Sequence, residues 1–434
     1  MVDLDALDAQ LRLEGPAILF PPRLARSLRL EGPVAVRDAL ALPGGALLVV
    51  VESGDEVVAT AVVPGHGGVR RALEGDGAFA GVARVLEAGV PVGRFEPRVF
   101  GSLPAPGAER AIDVDQSNDS MVVGDDLVVK IYARTSPGPQ PGLDLPAHLA
   151  AVGFDRTPTP YGALVWIDAV DRPVLLATVS GYLPHAEDGW DWYVRDLLRW
   201  IDGEADDATV LEPAGAIGGL VAELHRALAT PSRVVPHPVA TAGRDAAERW
   251  RARAEATLDE ALEVAVDAMR PRLRELATRA RDAFASFDTV DATPVMRIHG
   301  DLHVGQVLRW AGGYAVSDFD GNPLAPPAVR NAPDAPARDV ASMVRAIDHV
   351  GRVVQRRRPG RETDVEGWIL EARARFLAAY REGLATDGHL FDERLLFPFE
   401  VAQECHEHVY AARYVPRWAY VPDLALPVLL EAGP

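Results

Sequence analysis

The strongest constraint on the fold is a change of hydrophobic period near residue 188. Upstream, apolar residues come in short β-branched runs, at Leu47–Val51, Val57–Val63, Met121–Val123, Leu127–Tyr132, Ala163–Ile167 and Val174–Val179. Such runs, bounded by turn chemistry like Glu52-Ser53-Gly54-Asp55-Glu56, predict strands and a hairpin. Downstream, the spacing turns helical over Trp190–Ile201, Ala214–Leu228, Arg244–Phe287 (one or two helices), Asp339–Val354, Val365–Leu384 and Glu393–Tyr414. The expected class is therefore α+β, a β-rich part feeding an α-rich part. By texture the chain divides into a small β-rich cap over residues 1–100, an intermediate lobe over 101–184 and a helical lobe over 185–434. The glycine-rich stretch Gly65–Gly81 reads as a loop, because Arg70 stands where a dinucleotide fingerprint needs its third glycine. A short helix is expected around Leu143–Val152.

Charge and composition narrow the function. The formal charge is −19, which argues against nucleic acid or an anionic membrane as partner. A single cysteine, Cys405, permits no internal disulfide and no cysteine-based zinc site. The first sixteen residues lack a basic n-region and an apolar h-region, and no apolar run is long enough to span a bilayer, so a cytoplasmic protein is expected. A monomer or weak homodimer acting on a small molecule is the matching expectation.

The chemistry concentrates in 296–323, MRIHGDLHVGQVLRWAGGYAVSDFDGNP. Phosphoryl transfer needs a carboxylate to orient the acceptor hydroxyl and take its proton, and oxygen ligands for a magnesium ion on the phosphates. Asp301 suits the first role. Asp318 and the neutral Gln306 suit the second, with Asp320 as a candidate for a second ion. His303 lies inside the loop. The order His-Gly-Asp, then Gln five residues on, then Asp-Phe-Asp resembles the catalytic loop and magnesium motif of kinases. Gly300 in place of arginine, and His303, resemble the aminoglycoside-phosphotransferase-like branch of small-molecule kinases. The structural alternative is core histidines and a turn-capping Asp318.

Upstream residues extend the pattern. Lys130 is the only lysine among 44 basic residues and ends a β-branched run. A compact ammonium on a strand is how kinases hold ATP phosphates, though chance survival of one surface lysine would look the same. One strand earlier, Gln116, Ser117, Asn118 and Ser120 would offer hydroxyl, amide and backbone N–H donors in place of a glycine-rich hairpin. Asp144 is the candidate acidic partner of Lys130, or an ordinary helix-start aspartate. Val179 and Gly181 fall where backbone groups should meet adenine.

Together QSNDS, HAEDGWDWY (185–193), ELHRAL (223–228), HGDLHVGQVLR (299–309), DFDGNP (318–323) and VYAARYVPRW (409–418) resemble the maltokinase-like kinases of actinobacteria, glucosamine kinases among them. The resemblance spans nearly the whole chain. It implies a bilobal protein-kinase-like fold with an N-terminal cap, ATP and Mg²⁺ as cofactors, and a sugar as acceptor.

The acceptor is read from 403–408. Maltokinase-like patterns carry a lysine and glutamate-tyrosine pairs nearby, whereas this chain has Gln403, Glu404, Glu407 and His408. Two carboxylates without a lysine favour a cation, hence an amino sugar, and Trp418 could stack on a sugar face. A solvated helix face is the structural alternative. The expected activity is glucosamine to glucosamine 6-phosphate. Maltose 1-phosphorylation, aminoglycoside phosphorylation and a pseudokinase binding module are the alternatives.

Overall fold

A computed structural model describes residues 7–9, 35–53, 56–65, 68–112, 118–322 and 325–434. The chain forms two compact units, one ending at Pro184 and one running from His185 to Pro434.

The first unit is built on two antiparallel sheets. Strands β1 (Ala35–Ala41), β2 (Leu47–Ser53), β3 (Glu56–Gly65) and β4 (Gly68–Arg71) form a meander. Helix α1 (Ala78–Ala88) follows. The second sheet contains β5 (Phe95–Val99), β6 (Glu109–Ala111), β7 (Asp119–Val123), β8 (Leu127–Ile131), β9 (Pro160–Ile167) and β10 (Pro173–Gly181), in the order β5-β9-β10-β8-β7-β6. Helix α2 (Pro141–Val152) lies between β8 and β9 in sequence.

One core joins these parts. Leu48, Val50 and Ala59 from the first sheet pack in the same cluster as Phe79, Val82 and Leu86 of α1 and Val129, Leu164 and Val179 of the second. The α1 N-terminus is capped from the second sheet: the Glu109 carboxylate accepts the N–H groups of Gly77, Phe79 and Ala80 at 2.9, 2.6 and 3.0 Å. The texture boundary expected near residue 100 thus falls within a shared core. The stretch Gly65–Gly81, expected as a loop, contains β4 and the start of α1.

The second unit is mainly helical. Its helices are α3 (Gly189–Ile201), α4 (Asp207–Ala229), α5 (Arg244–Val264), α6 (Arg270–Phe284), the single turn α7 (Pro327–Arg330), α8 (Pro336–Arg357), α9 (Glu362–Leu384), α10 (Leu396–Tyr414) and α11 (Tyr420–Ala432). Two small two-stranded antiparallel sheets interrupt them, β11 (Val239–Gly243) with β12 (Ala292–Met296), and the hairpin β13 (Val307–Trp310) with β14 (Gly313–Val316). The long run 244–287 divides ahead of Pro271, which sits in the first turn of α6 where a missing N–H costs nothing. Helix α4 packs on α9 with its Gly218 against the Phe376 carbonyl, where a Cβ would stand 2.3 Å from that oxygen. No helix among the described residues is long and apolar enough to cross a membrane.

Candidate active site

The catalytic loop leaves β12 and is held by a buried carboxylate. Asp339, in the first turn of α8, accepts the N–H groups of His299 and Gly300 at 2.8 and 2.9 Å. His225 of α4 stands 3.4 Å from the same carboxylate and bonds the Tyr380 hydroxyl at 2.7 Å. Burial opposes the charge on Asp339, yet the hydrogen bond and charge of His225, with His299, keep its carboxyl below the ordinary value. Asp339 was not singled out from the sequence. Its partner His225 lies in the ELHRAL motif, and the structure explains that motif as a clamp on the loop backbone.

Gly300 adopts a left-handed φ of 79°. A side chain there would cost about 1–2 kcal/mol, which favours glycine at this position. The His299 Nε2 lies 3.0 Å from the Ser317 carbonyl oxygen, and its Nδ1 accepts the Asp301 N–H at 3.4 Å. Its ring sits against Phe319 with centroids 5.0 Å apart. His299 therefore ties the segment bearing Asp301 to the segment bearing Asp318.

His303 caps the turn at 304–306, accepting the Gly305 N–H on Nδ1 at 3.0 Å. Its Nε2 lies 3.5 Å from the Gln306 side-chain amide nitrogen. The Gln306 carbonyl accepts the Ser317 N–H at 2.9 Å, which registers Gln306 beside the strand leading to Asp318. Asp318 has a left-handed φ of 62°, a conformation that costs energy in a residue with a Cβ and clusters at functional sites. Gln306, Asp318 and Asp320 carry oxygen donors of the hard kind that Mg²⁺ takes. Val304 is wedged over Gly189: a Cβ on Gly189 would stand 1.9 Å from its carbonyl oxygen. The aspartate before that glycine, Asp188, caps α3 by accepting the Trp190 and Asp191 N–H groups at 2.8 and 3.2 Å.

Asp301 opens onto a cavity of about 380 Å³ within the second unit. Helix α10 supplies Gln403, His406, Glu407 and Tyr410, spaced i, i+3, i+4 and i+7 along one face. Helix α8 supplies Ser342, Ala346 and His349 at the same kind of spacing. Trp190 and Trp418 meet edge-on with centroids 5.3 Å apart, and both line the cavity. Glu407 is held on both oxygens: Gln403 Nε2 donates to one at 3.1 Å and Trp418 Nε1 to the other at 3.1 Å. His303 and Asn322 complete the polar lining.

Two sequence candidates sit elsewhere. Glu404 and His408 are buried and do not line the cavity. Their helix face is rotated off the 403/407 face, and Glu404 there meets His349 and Arg345 of α8 at 2.9 and 3.5 Å. Burial drops the His408 pKa to about 4, so this imidazole is neutral and structural. Trp190, Asn322, Ser342, His349 and Tyr410 escaped the sequence reading. The 403/406/407/410 stripe was the available signal, obscured by the helix being polar on two faces.

In the first unit, Lys130 occupies β8 with Ser120 of β7 and Thr178 of β10 as its direct cross-strand partners. Its ammonium lies 4.9 Å from the centre of the Tyr132 ring. Asn118 directly precedes β7, and Asp144 lies in the first turn of α2. Gln116 and Ser117 lie outside the described residues. Val179 lies in β10 with Val129 and Gly162 as its cross-strand neighbours, and the Gly181 N–H donates to the Thr159 carbonyl at 2.8 Å.

No family model matches the sequence. Two curated relatives are similar along nearly all of it. A glucosamine kinase of Streptacidiphilus jiangxiensis is 42% identical over 427 residues, covering 96% of each chain. A glucosamine kinase of Mycolicibacterium smegmatis is 37% identical over 407 residues, covering 91% of this chain and 98% of that one. A solved glucosamine kinase in complex with glucosamine, ADP and inorganic phosphate superposes with a TM-score of 0.82 at 38% identity, covering 99% of both chains.

Proposed function

This chain belongs to the glucosamine kinase family, and from that membership we propose that it transfers the γ-phosphoryl group of ATP to glucosamine, giving glucosamine 6-phosphate. The observation that carries the acceptor assignment is the placement of Asp301 and Glu407 on the walls of one cavity. Glu407 is fixed by two neutral donors; an ammonium gives its carboxylate a charge-assisted bond that a neutral hydroxyl cannot match.

Asp301 orients the acceptor hydroxyl and takes its proton as the new O–P bond forms. Trp190 and Trp418 cover apolar sugar faces, and His303, His406 and Asn322 hydrogen-bond hydroxyls. Lys130, with Gln116, Ser117, Asn118 and Ser120, holds nucleotide phosphates, and Asp144 balances the lysine charge. Gln306 and Asp318 would hold Mg²⁺, with Asp320 at a second ion; the metal neutralises charge that develops on the phosphates. Residues 101–184 serve the nucleotide, residues 185–434 the sugar and the chemistry, and residues 1–100 act as a cap. The working compartment is the cytoplasm, where ATP and Mg²⁺ are at hand.

The test is ADP release with ATP, Mg²⁺ and a panel of glucosamine, maltose and an aminoglycoside. Glucosamine turns over fastest, and ³¹P NMR of the product reports a 6-phosphomonoester. A preference for maltose or the aminoglycoside replaces this reading, and no turnover with any acceptor makes the chain a binding module.

A further inference from the structure

One wall of the acceptor cavity is itself half of an ion pair. His349 lines the cavity, is 3% exposed, and its Nε2 lies 2.9 Å from Glu404 Oε1. On its own helix Arg345 and Arg352 flank Asp348 at 3.6 and 3.1 Å. From α10, Glu400 approaches Arg345 at 3.3 Å, and Glu404 approaches it at 3.5 Å. Glu366 pairs with Arg352, and Arg373 with Glu400. This cluster sets Asp348, Glu366, Glu400 and Glu404 against Arg345, Arg352 and Arg373, one positive charge short. Burying that imbalance is costly, and an imidazolium at His349 removes it. The second Glu404 oxygen is buried without a hydrogen-bond partner, and burial pushes this carboxyl up while His349 and Arg345 pull it back down, so a cation beside it is what holds its charge. Although Asp348, His349 and Glu404 come close enough to hold a metal ion, the Arg345 guanidinium already lies between the two carboxylates.

Glu407 stands in the same cavity, and Trp418, which donates to Glu407, also meets the His349 ring edge-on with centroids 6.1 Å apart. We propose that His349 carries the cavity's resident positive charge, and that an amino sugar binds by replacing it: the substrate ammonium settles at Glu407 and His349 releases its proton to solvent. This rests on glucosamine being the acceptor. Two like charges several ångströms apart, at an effective dielectric of about 20, weaken proton binding by roughly 10- to 100-fold. Burial lowers the proton affinity of His349, while Glu404, Glu407 and Asp348 raise it further, so the imidazole of the sugar-free protein sits above its ordinary value. His349 thereby discriminates by charge, since a neutral sugar cannot displace its proton and meets a cavity already balanced.

Calorimetric titration of the whole protein with glucosamine tests this, in buffers of different ionisation enthalpy at about pH 6.5, where a sugar amine is protonated. The expected result is net proton release approaching one per sugar bound. It is retained in His389→Gln, an exposed histidine that does not line the cavity, and lost in His349→Gln, whose amide still donates to Glu404. In the wild type, KM for glucosamine rises up to tenfold per pH unit on the acid side while kcat does not follow; in His349→Gln that slope disappears. Should His349→Gln not fold, loss of one imidazolium NMR signal on adding glucosamine to the wild type reports the same event. Glucosamine binding without proton release, or with uptake, overturns the proposal and leaves the glucosamine assignment standing. No glucosamine binding at all overturns both.

Discussion

At the scale of the residue, Asp301 is where the sequence reading and the structure meet most directly. Its N–H is held by His299, whose backbone N–H is in turn held by Asp339, and its side chain faces the cavity. Replacing it with Asn keeps the shape and removes the proton acceptor. Asp301→Asn is expected to lower kcat by roughly 10²- to 10⁴-fold, the usual contribution of a positioned base, while ADP affinity measured by calorimetry stays the same. A variant with near-normal turnover would remove the assigned role. The residues proposed for catalysis and metal binding were legible because such chemistry depends on type and order: Asp301, Gln306 and Asp318 fall within twenty positions of each other. The acceptor residues were half legible. Composition pointed to carboxylates on one helix, but rotation about the helix axis separates Glu407, which reaches the cavity, from Glu404, which reaches Arg345 and His349. That rotation depends on what the helix packs against.

At the scale of the element, the turn at 304–306 shows how backbone approach controls a side chain. The first residue of α3 is Gly189, and it lies directly against the Val304 carbonyl. Gly189→Ala forces the turn and α3 apart, because the added Cβ meets backbone on an element that cannot yield. The expected outcome is a loss of about 1–3 kcal/mol in a denaturant titration. Because a shift of about 1 Å at Gln306 misplaces a catalytic group, kcat should fall about 100-fold as well. Unchanged kcat with lowered stability would mean that the turn moves without Gln306. The helices themselves were largely readable from period, though the sequence left 244–287 as one or two helices and the structure divides it ahead of Pro271. The stretch Gly65–Gly81 was not, because β4 is a four-residue edge strand whose order comes from pairing with β3.

At the scale of the molecule, a formal charge of −19 gives a cationic substrate a favourable approach that salt screens within about 10 Å at 0.1 M. KM for glucosamine should therefore rise severalfold between low and moderate ionic strength, and KM for a neutral sugar should not. Parallel salt dependence for both would show that the net charge plays no part in substrate capture. The amino-acid sequence alone determined the class of chemistry, the order of strands before helices and the residues of the catalytic loop, since local period and residue type act over short stretches of chain. Tertiary structure decided that the first sheet and α1 share a core with the following sheet, that Asp339 and His225 clamp the loop, and that His349 rather than Glu404 shares the cavity with Glu407. Each of those outcomes joins residues tens of positions apart, where packing and the balance of buried charge, not local preference, choose the partner.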